Sequence, residues 1–235
     1  MEVCAIILAR SGSKGLKDKN IIKMADKPLI QYTIDAALES KSVNRTIVST
    51  DSKKIAEIAI SLGAESPFLR PLSISDDDAT SESALKYTVE WLNANENYHP
   101  DIIVYLQITD LFRTVEMIDD CVNALVQDEK LDSAFMGHIT HKNFWMENDG
   151  NFSPLNPLFN NHDPRQVKRP VYREDTGIAL ATKAEVIKSG KRIGKNVKII
   201  PYESDTNFVD IHSKFDLSLS ELLVTHLNKK PNKEI

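Results

Sequence analysis

Basic residues and glycines crowd into one short stretch of the chain, residues 9–20. The stretch follows an apolar run, residues 3–8, and its notable members are Arg10, Gly12, Lys14, Gly15, Lys17 and Lys19. Glycines allow the backbone to turn so that successive N–H groups face one concavity, which is how many loops bind phosphate. At about 4 Å and a dielectric of about 20, each pair of opposite unit charges contributes about 4 kcal/mol before desolvation. The pattern therefore predicts a cradle for a polyphosphate.

This loop differs from the two best-known phosphate motifs. Gly15 is followed by Leu16 rather than by lysine, which excludes the G-x-x-x-x-G-K-[ST] pattern. Only Gly12 and Gly15 have an interval that fits the dinucleotide pattern G-x-G-x-x-G. A solvated surface turn is therefore the alternative interpretation of the loop, and Lys17 fits that alternative better than a functional role.

The overall charge of the chain narrows the classes of function. The 235 residues carry a formal net charge of −5 and a sequence pI near 5.7. We expect no nucleic-acid partner, because nucleic-acid-binding proteins carry a broad basic footprint. No apolar run approaches the roughly 18 residues of a membrane span, and the N-terminal run is only strand-length, so we expect neither a membrane partner nor a signal peptide.

Cysteine and histidine usage indicates a reduced, non-zinc protein. Cys4 and Cys121 fall in a predicted strand and a predicted helix, so we expect buried thiols, no disulfide and a cytoplasmic location. The six histidines show no zinc-type spacing. The length predicts one medium domain over residues 1–235.

Strands and helices alternate along the chain. The predicted strands are 3–8, 46–49, 101–106 and 133–136. The predicted helices are 29–38, one that Asp51 or Ser52 caps and that runs to Leu62, one from Ser81 or Ser83 to Leu92, 115–125 and 214–228. This alternation predicts an α/β fold in three layers, with a Rossmann-like, mostly parallel sheet and helices on both faces. Ligands bind beyond the carboxyl ends of such strands, so we expect residues 9–20 and 107–113 to face one crevice.

Residues 138–176 have a different composition from the rest. They are rich in Asn, Pro, Asp and aromatic residues and have weak periodicity. A hairpin around 148–150 and an extended lobe are predicted, and long segments of this kind are usually functional or form an interface. We expect the tail 228–235 to be frayed.

Several segments, taken in order, carry recognisable motifs. They are ILARSGSKGLKDKN (7–20), IIKMADKPLIQYTIDAALES (21–40), RTIVSTDSKKIAEIAISLGAE (45–65), FLRPLSISDDDATSESALKYTVEWL (68–92), LQITDLFR (106–113), DPRQVKRPVYREDTG (163–177) and VDIHSKFDL (209–217). This series resembles the acylneuraminate cytidylyltransferases, which are the CMP-sialic acid synthetases and their relatives that activate Kdo, legionaminic and pseudaminic acids. The chain is thus identified as a divergent member of that family.

The resemblance implies a single nucleotidyltransferase domain that uses CTP and a 3-deoxy-2-ulosonic acid and forms a CMP-sugar and pyrophosphate. It implies catalytic roles for Arg10 and Lys19, since a planar guanidinium grips two phosphate oxygens and an ammonium acts as a mobile point charge. The implied nucleotide-binding residues are Leu8, Ala9, Arg10, Ser11, Gly12, Ser13, Lys19, Asn20, Arg70 and Ser81. The implied substrate-binding residues are Gln107, Lys142, Arg165, Arg169 and Tyr172. It also implies a homodimer, with residues 138–176 as a small dimerisation lobe.

The implied metal site departs from the family pattern. The family holds Mg²⁺ with two aspartates in DxD, and this chain has Asp210 and His212 there. Imidazole is a poor ligand for a hard ion, which leaves four alternatives: Asp210 holds Mg²⁺ alone, His212 favours Mn²⁺, His212 acts as a base, or His212 weakens the chemistry. Asp216 is better explained as a residue of a helix N-terminus.

Further departures cluster on the side of the acceptor. LQITDLFR lacks both prolines of the family's LQPTSPLR and brings in Asp110, Thr176-Gly177 replaces the usual NG, and Leu180 replaces a tyrosine. We therefore expect the nucleotide to be retained and the acceptor to differ from sialic acid itself. Transfer to another acidic acceptor, and a degenerate relative that binds nucleotide without turnover, are the alternatives.

Overall fold

The computed structural model describes residues 1–12, 15–155, 164, 166–204, 206 and 209–225. Its strands are β1 (Val3–Leu8), β2 (Lys23–Met24), β3 (Lys27–Pro28), β4 (Arg45–Ser49), β5 (Ile102–Leu106), β6 (Ser133–Thr140), β7 (Trp145–Asn148), β8 (Asn151–Pro154), β9 (Val171–Glu174), β10 (Leu180–Lys183) and β11 (Val197–Tyr202). Its helices are α1 (Leu29–Glu39), α2 (Lys53–Ser61), α3 (Ser81–Glu96), α4 (Val115–Gln127), α5 (Ala184–Lys188) and α6 (Lys214–Thr225), with short 3-10 turns at Lys19–Ile21 and Leu72–Ile74.

The central sheet is mixed but mostly parallel. Its strand order is β11-β6-β10-β5-β1-β4, and β9 pairs with β6 beside β10. β1 is parallel to both β4 and β5, and β11 is parallel to β6. β10 runs antiparallel between β5 and β6, a reversal that the sequence analysis did not predict. The predicted fold class, a Rossmann-like sheet, is confirmed.

Helices cover both faces of this sheet, which explains why β1 is apolar throughout. Ala5 and Ile7 pack into a core with α1, α2 and α4, whereas Cys4 and Ile6 pack into a second core with α3 and α5. Alternate side chains of a strand point to opposite faces, so a strand with two covered faces needs apolar residues at every position. Each fully buried isoleucine contributes about 1.5–3 kcal/mol.

Each predicted helix is present with adjusted ends, and the predicted end of the last one, residues 226–228, lies outside the described residues. Ser52 caps α2, and Gly63, at φ +93°, follows its last turn. The predicted helix 81–92 begins at Ser81 but continues to Glu96, and the Thr80 hydroxyl caps it by accepting the N–H of Ser83. Residues 226–235, which include the predicted frayed tail, lie outside the described residues.

The predicted hairpin in residues 138–176 is present as β7 and β8. Asp149 and Gly150 form its turn at φ 50° and φ 80°, the left-handed geometry that two-residue hairpins favour. Trp145 and Phe152 are exposed, at 55% and 69%. The register of the two strands places both side chains on one face of the hairpin.

Both cysteines are buried, as predicted, Cys4 in β1 and Cys121 in α4. Burial raises the pKa of both thiols, which keeps them neutral and unreactive. A search of the described residues finds no helix with the length and apolar character that crossing a bilayer requires.

Candidate functional site

A cavity of about 470 Å³ opens at the carboxyl ends of β1 and β5. It is lined by Leu8, Arg10, Gly15, Lys19, Asn20, Arg70, Ile74, Ser75, Asp76, Ala79, Thr80, Ser81, Ala84, Tyr105, Gln107, Ile108, Thr109 and His212. The two segments that follow these strands therefore face one crevice, as the sequence predicted. Its volume suits a ligand of the size of a nucleotide.

Arg10 directs its guanidinium across the mouth of the cavity to the loop that follows the second 3-10 turn. Its Nη1 donates to the carbonyl of Asp76 at 2.5 Å, and its Nη2 lies 3.0 Å from Oδ1 of Asp77. The side-chain amide of Asn20 donates to the Arg10 carbonyl at 2.8 Å and thereby holds the start of the basic loop. A phosphate ligand of Arg10 would compete with the carboxylate of Asp77.

Lys19 connects the basic loop to the segment that bears the candidate metal ligands. Its Nζ donates to the carbonyl of Ile211 at 3.1 Å. Burial lowers the pKa of Lys19, Asp210 opposes this shift, and Arg10 reinforces it. The ammonium is thus a partly desolvated cation, and partial desolvation strengthens its attraction to an anion.

Gly15 allows the basic loop to approach the segment around His212. A Cβ atom at Gly15 would lie only 2.4 Å from the carbonyl oxygen of His212. The sequence predicts that Gly15 helps to turn the loop. The close approach to His212 is a second reason why this position requires glycine, and no local pattern indicates it. At Gly12 an added Cβ would meet no atom within 4 Å.

His212 lines this cavity, and Asp210 lies beside it. Oδ2 of Asp210 is 2.8 Å from Nε2 of His212. Asp216 accepts the backbone N–H groups of His212 and Ser213 and so caps α6, as expected for a residue of a helix N-terminus. Within the described part of the chain, no cluster of three or more His, Cys, Asp or Glu side chains could hold a metal ion. Asp210 still fits Mg²⁺, because this ion binds one or two carboxylates and completes its shell with waters and phosphate oxygens.

Arg70 lines the cavity, and much of its guanidinium is hydrogen-bonded within the protein. It is 5% exposed. Its Nε donates to the Ser75 hydroxyl at 2.9 Å, and its Nη1 donates to the carbonyl of Ser49 at 3.4 Å. Burial lowers the pKa of this guanidinium. Arg70 therefore holds the loop that carries Asp76 and Asp77 in addition to lining the cavity.

Ser81 also lines the cavity, at the first residue of α3, and its Oγ lies 3.5 Å from the hydroxyl of Tyr105. Sequence reasoning missed Tyr105. The only available signal was that this aromatic residue lies next to the carboxyl end of a strand predicted to lead into the crevice.

Other residues of the predicted nucleotide set lie near the cavity without lining it. Ala9 is buried, and its N–H donates to the carbonyl of Ser49 at 3.0 Å. The backbone N–H and hydroxyl of Ser11 both donate to the carboxylate of Asp51, at 2.8 Å and 2.5 Å. Gly12 is exposed, and Ser13 lies outside the described residues.

Gln107, which was expected to bind the acceptor, also lines the cavity. Its N–H donates to the carbonyl of Gly177 at 2.8 Å, and its side-chain amide donates to the Thr109 hydroxyl at 3.0 Å. The carboxyl of Asp110 packs closely against the same glycine. A Cβ atom added at Gly177 would lie 2.1 Å from Asp110 Oδ2 and 2.7 Å from Gln107 Oε1. Burial raises the pKa of Asp110 to about 6, against the opposing charge of Arg113.

Arg113, which sequence reasoning did not assign, lies fully buried directly behind this side of the cavity. Its Nη2 donates to the Gln107 carbonyl at 2.5 Å. The signal that could have found it is a charged residue at the end of a predicted strand-to-helix loop.

The remaining predicted acceptor residues are not brought to this cavity in the single chain. Lys142, Arg169 and Tyr172 are exposed on the lobe, and Tyr172 pairs with Ile139 across β9 and β6. Arg165 lies outside the described residues.

Comparisons with known proteins identify relatives of the whole chain. A family model described as cytidylyltransferase matches residues 4–186. The chain is 33% identical over 231 residues to the CMP-N,N'-diacetyllegionaminic acid synthase of Legionella pneumophila, which covers 95% of this chain and 97% of that protein. It is 40% identical over 129 residues to the N-acylneuraminate cytidylyltransferase of Escherichia coli, which covers 55% of this chain and only 29% of that protein.

Among solved structures, CMP:2-keto-3-deoxy-manno-octonic acid synthetase complexed with CTP superposes with a TM-score of 0.73 and 14% identity. The match covers 97% of this chain and 100% of that chain. At this identity the likeness shows that the two proteins share a fold.

Proposed function

Because the chain belongs to the cytidylyltransferase family, we propose that it activates a 3-deoxy-2-ulosonic acid with CTP and releases pyrophosphate. The enzyme is a CTP-dependent nucleotidyltransferase of the acylneuraminate cytidylyltransferase type. In the proposed reaction a hydroxyl oxygen of the acceptor attacks the α-phosphorus of CTP. A new P–O bond forms, the bond to pyrophosphate breaks, and the hydroxyl proton passes to solvent.

One observation carries this proposal. One cavity is lined both by the cations Arg10 and Lys19, which follow β1, and by Gln107, which follows β5. In-line transfer needs an anion site and an acceptor site within one cavity, since catalysis here consists of positioning and charge neutralisation. Arg10 and Lys19 would hold the triphosphate and stabilise the charge of the leaving pyrophosphate.

We propose Mg²⁺, or Mn²⁺, as the cofactor, held by Asp210 with His212 beside it. A divalent cation supplies charge neutralisation on the phosphate oxygens. The partner of the Asp210 carboxylate in this structure is the His212 ring, at 2.8 Å.

The acceptor is proposed to be an acidic nonulosonic acid other than sialic acid itself. The relative that spans almost the whole chain is named for a diacetyllegionaminic acid product, which supports an acceptor of this class. The buried Asp110 beside Gln107 supports a difference from the family's usual acceptor contacts. Transfer to another acidic acceptor remains the second candidate for the same site.

A homodimer is also proposed. The exposed apolar side chains Trp145 and Phe152 lie on one face of the β7–β8 hairpin, and exposed patches of this kind often form interfaces. Lys142, Arg169 and Tyr172 lie on the same lobe and would then be available to the cavity of the partner subunit. The two buried free thiols support a cytoplasmic location.

The proposal is tested by measuring pyrophosphate release with CTP, a panel of 3-deoxy-2-ulosonic acids that includes N,N'-diacetyllegionaminic, pseudaminic, sialic and Kdo acids, and either Mg²⁺ or Mn²⁺. Release with at least one acid and with CTP in preference to ATP, GTP and UTP is expected. Release only with smaller sugar acids or phosphonates would favour the second candidate. CTP binding without release for any acid would identify a binding protein and overturn the proposed activity.

A further inference from the structure

Arg113 is a buried cation that donates four hydrogen bonds to acceptors of the protein itself. It is 0% exposed. Its Nε donates to the carbonyl of Ile178 at 2.7 Å, and its Nη1 donates to the hydroxyl of Thr33 at 2.9 Å. Its Nη2 donates to the carbonyls of Gln107 at 2.5 Å and of Gly177 at 2.7 Å. A buried charge is costly unless it is hydrogen-bonded, and each of the three guanidinium nitrogens of Arg113 has an acceptor, which indicates that the geometry matters.

The three carbonyls belong to two segments that are far apart in sequence and meet behind the cavity. Gln107 begins the segment that follows β5, and Gly177 and Ile178 lie between β9 and β10. The N–H of Gln107 also donates to the Gly177 carbonyl, so one guanidinium and one backbone hydrogen bond join the same two segments. The Gln107 side chain that lines the cavity therefore depends on this junction for its position.

We propose that Arg113 is a positioning residue for nucleotidyl transfer, which fixes Gln107 and the 177–178 turn as one rigid wall facing the acceptor. This inference rests on the proposed function and deepens it. Arg113 touches backbone carbonyls rather than the cavity, so it acts through Gln107 and not on the reacting atoms. Its planar fork can reach three carbonyls and a hydroxyl at once, which an ammonium group cannot do.

The nucleotide side of the cavity is held by other contacts. Arg10 bonds to Asp76 and Asp77, and Lys19 bonds to the Ile211 carbonyl. Weakening the Arg113 junction should therefore change acceptor binding and leave CTP binding nearly unchanged. A residue that only stabilises the fold would affect both substrates in proportion to the loss of stability.

The test compares Arg113→Lys with Thr33→Val. The lysine variant keeps the charge but loses the fork, and we expect the acceptor KM to rise on the order of tenfold while the Kd for CTP stays within about twofold. Thr33→Val is the matched control, because it removes one partner of Arg113 in the core and leaves the three carbonyl contacts in place. It should lower thermal stability and leave the acceptor KM unchanged. A lysine variant with a normal acceptor KM, or a control with the same rise in acceptor KM, would overturn the proposal.

A double-mutant cycle shows whether Arg113 acts through Gln107. In the Gln107→Ala background, Arg113→Lys should cause much less further loss in kcat/KM for the acceptor, because the side chain that it positions is gone. Independent, additive losses would contradict the proposed route.

A second measurement does not depend on turnover, and so separates this proposal from the proposed function. In Arg113→Lys, amide hydrogen exchange should become faster at Gln107 and Ile178 but not in β1. Unchanged exchange at both sites would overturn the positioning role even if no acceptor is ever found.

Discussion

At the scale of single residues, the side chains of the basic loop have separable roles. Lys19 is partly desolvated and points to the segment of Asp210, whereas Lys17 is exposed. Lys19→Ala should lower kcat on the order of 10²-fold or more without unfolding the protein, because it removes a cation assigned to the triphosphate. Lys17→Ala is the control and should keep near-normal turnover in the pyrophosphate-release assay. Near-normal turnover in the Lys19 variant as well would remove Lys19 from the mechanism.

In its ion pair with Arg10, the Asp77 carboxylate occupies the guanidinium that a phosphate of the ligand would bind. Both side chains are partly exposed, at 33% and 46%, and such pairs contribute about 0.2–1 kcal/mol. Asp77→Asn should therefore tighten CTP binding by up to about fivefold at low salt, measured by calorimetry. Asp78→Asn changes the net charge equally and should have little effect. Equal tightening in both variants would indicate a general field effect instead of a competing contact.

His212 replaces the second aspartate of the expected metal-binding pair and is the clearest departure of this sequence from that pattern. His212→Asp adds a hard oxygen ligand beside Asp210, so half-maximal activity should require less Mg²⁺. His212→Asn removes the imidazole without adding a carboxylate and should not produce the same decrease. The measurement is a Mg²⁺ titration of the initial rate. An unchanged requirement in the Asp variant would mean that the ion lies away from residue 212.

At the scale of elements, the site depends on the contact between the basic loop and the segment before α6. Gly15→Ala would place a methyl group 2.4 Å from the His212 carbonyl oxygen, so one backbone must move away. We expect a loss of about 1–3 kcal/mol of stability and a higher Mg²⁺ requirement. Gly12→Ala is the matched control, because the added methyl meets no atom within 4 Å. Chemical denaturation and a metal titration measure the two effects, and identical behaviour of both variants would refute the contact.

Local patterns predicted most of the elements around this site. The apolar run of β1, the Ser52 cap of α2 and the Asp149-Gly150 turn of the hairpin all depend on residues that are neighbours in sequence. The reversed strand β10 was missed, because its direction depends on pairing with β5 and β6 instead of on its own four residues. The roles of Gly15 and Arg113 were missed for the same reason, since their contacts are with residues far along the chain.

At the scale of the whole molecule, the proposed homodimer rests on the lobe of residues 138–176. If Trp145 and Phe152 form the dimer contact, the double variant Trp145→Ser, Phe152→Ser should shift the protein from dimer to monomer in sedimentation velocity. The reason is that it removes two large exposed apolar side chains from one face of the hairpin. Ile60→Ser is the control, because Ile60 is 55% exposed on α2 and should leave association unchanged. A monomeric parent protein would contradict the dimer proposal directly.

The family, the fold class and the position of a crevice at the carboxyl ends of β1 and β5 were readable from the sequence alone. Apolar periodicity predicts which faces of the helices and strands are buried. Motifs such as residues 7–20 indicate the residue types that nucleotidyl transfer needs. Only the tertiary structure decided which of these residues meet. Arg113 lies 80 residues from Thr33 and 65 from Ile178, and the carbonyls that it holds belong to the backbone, which every residue shares. Hydrogen bonds of this kind leave no pattern in the sequence, because they are set by how distant segments pack and not by the types of the residues.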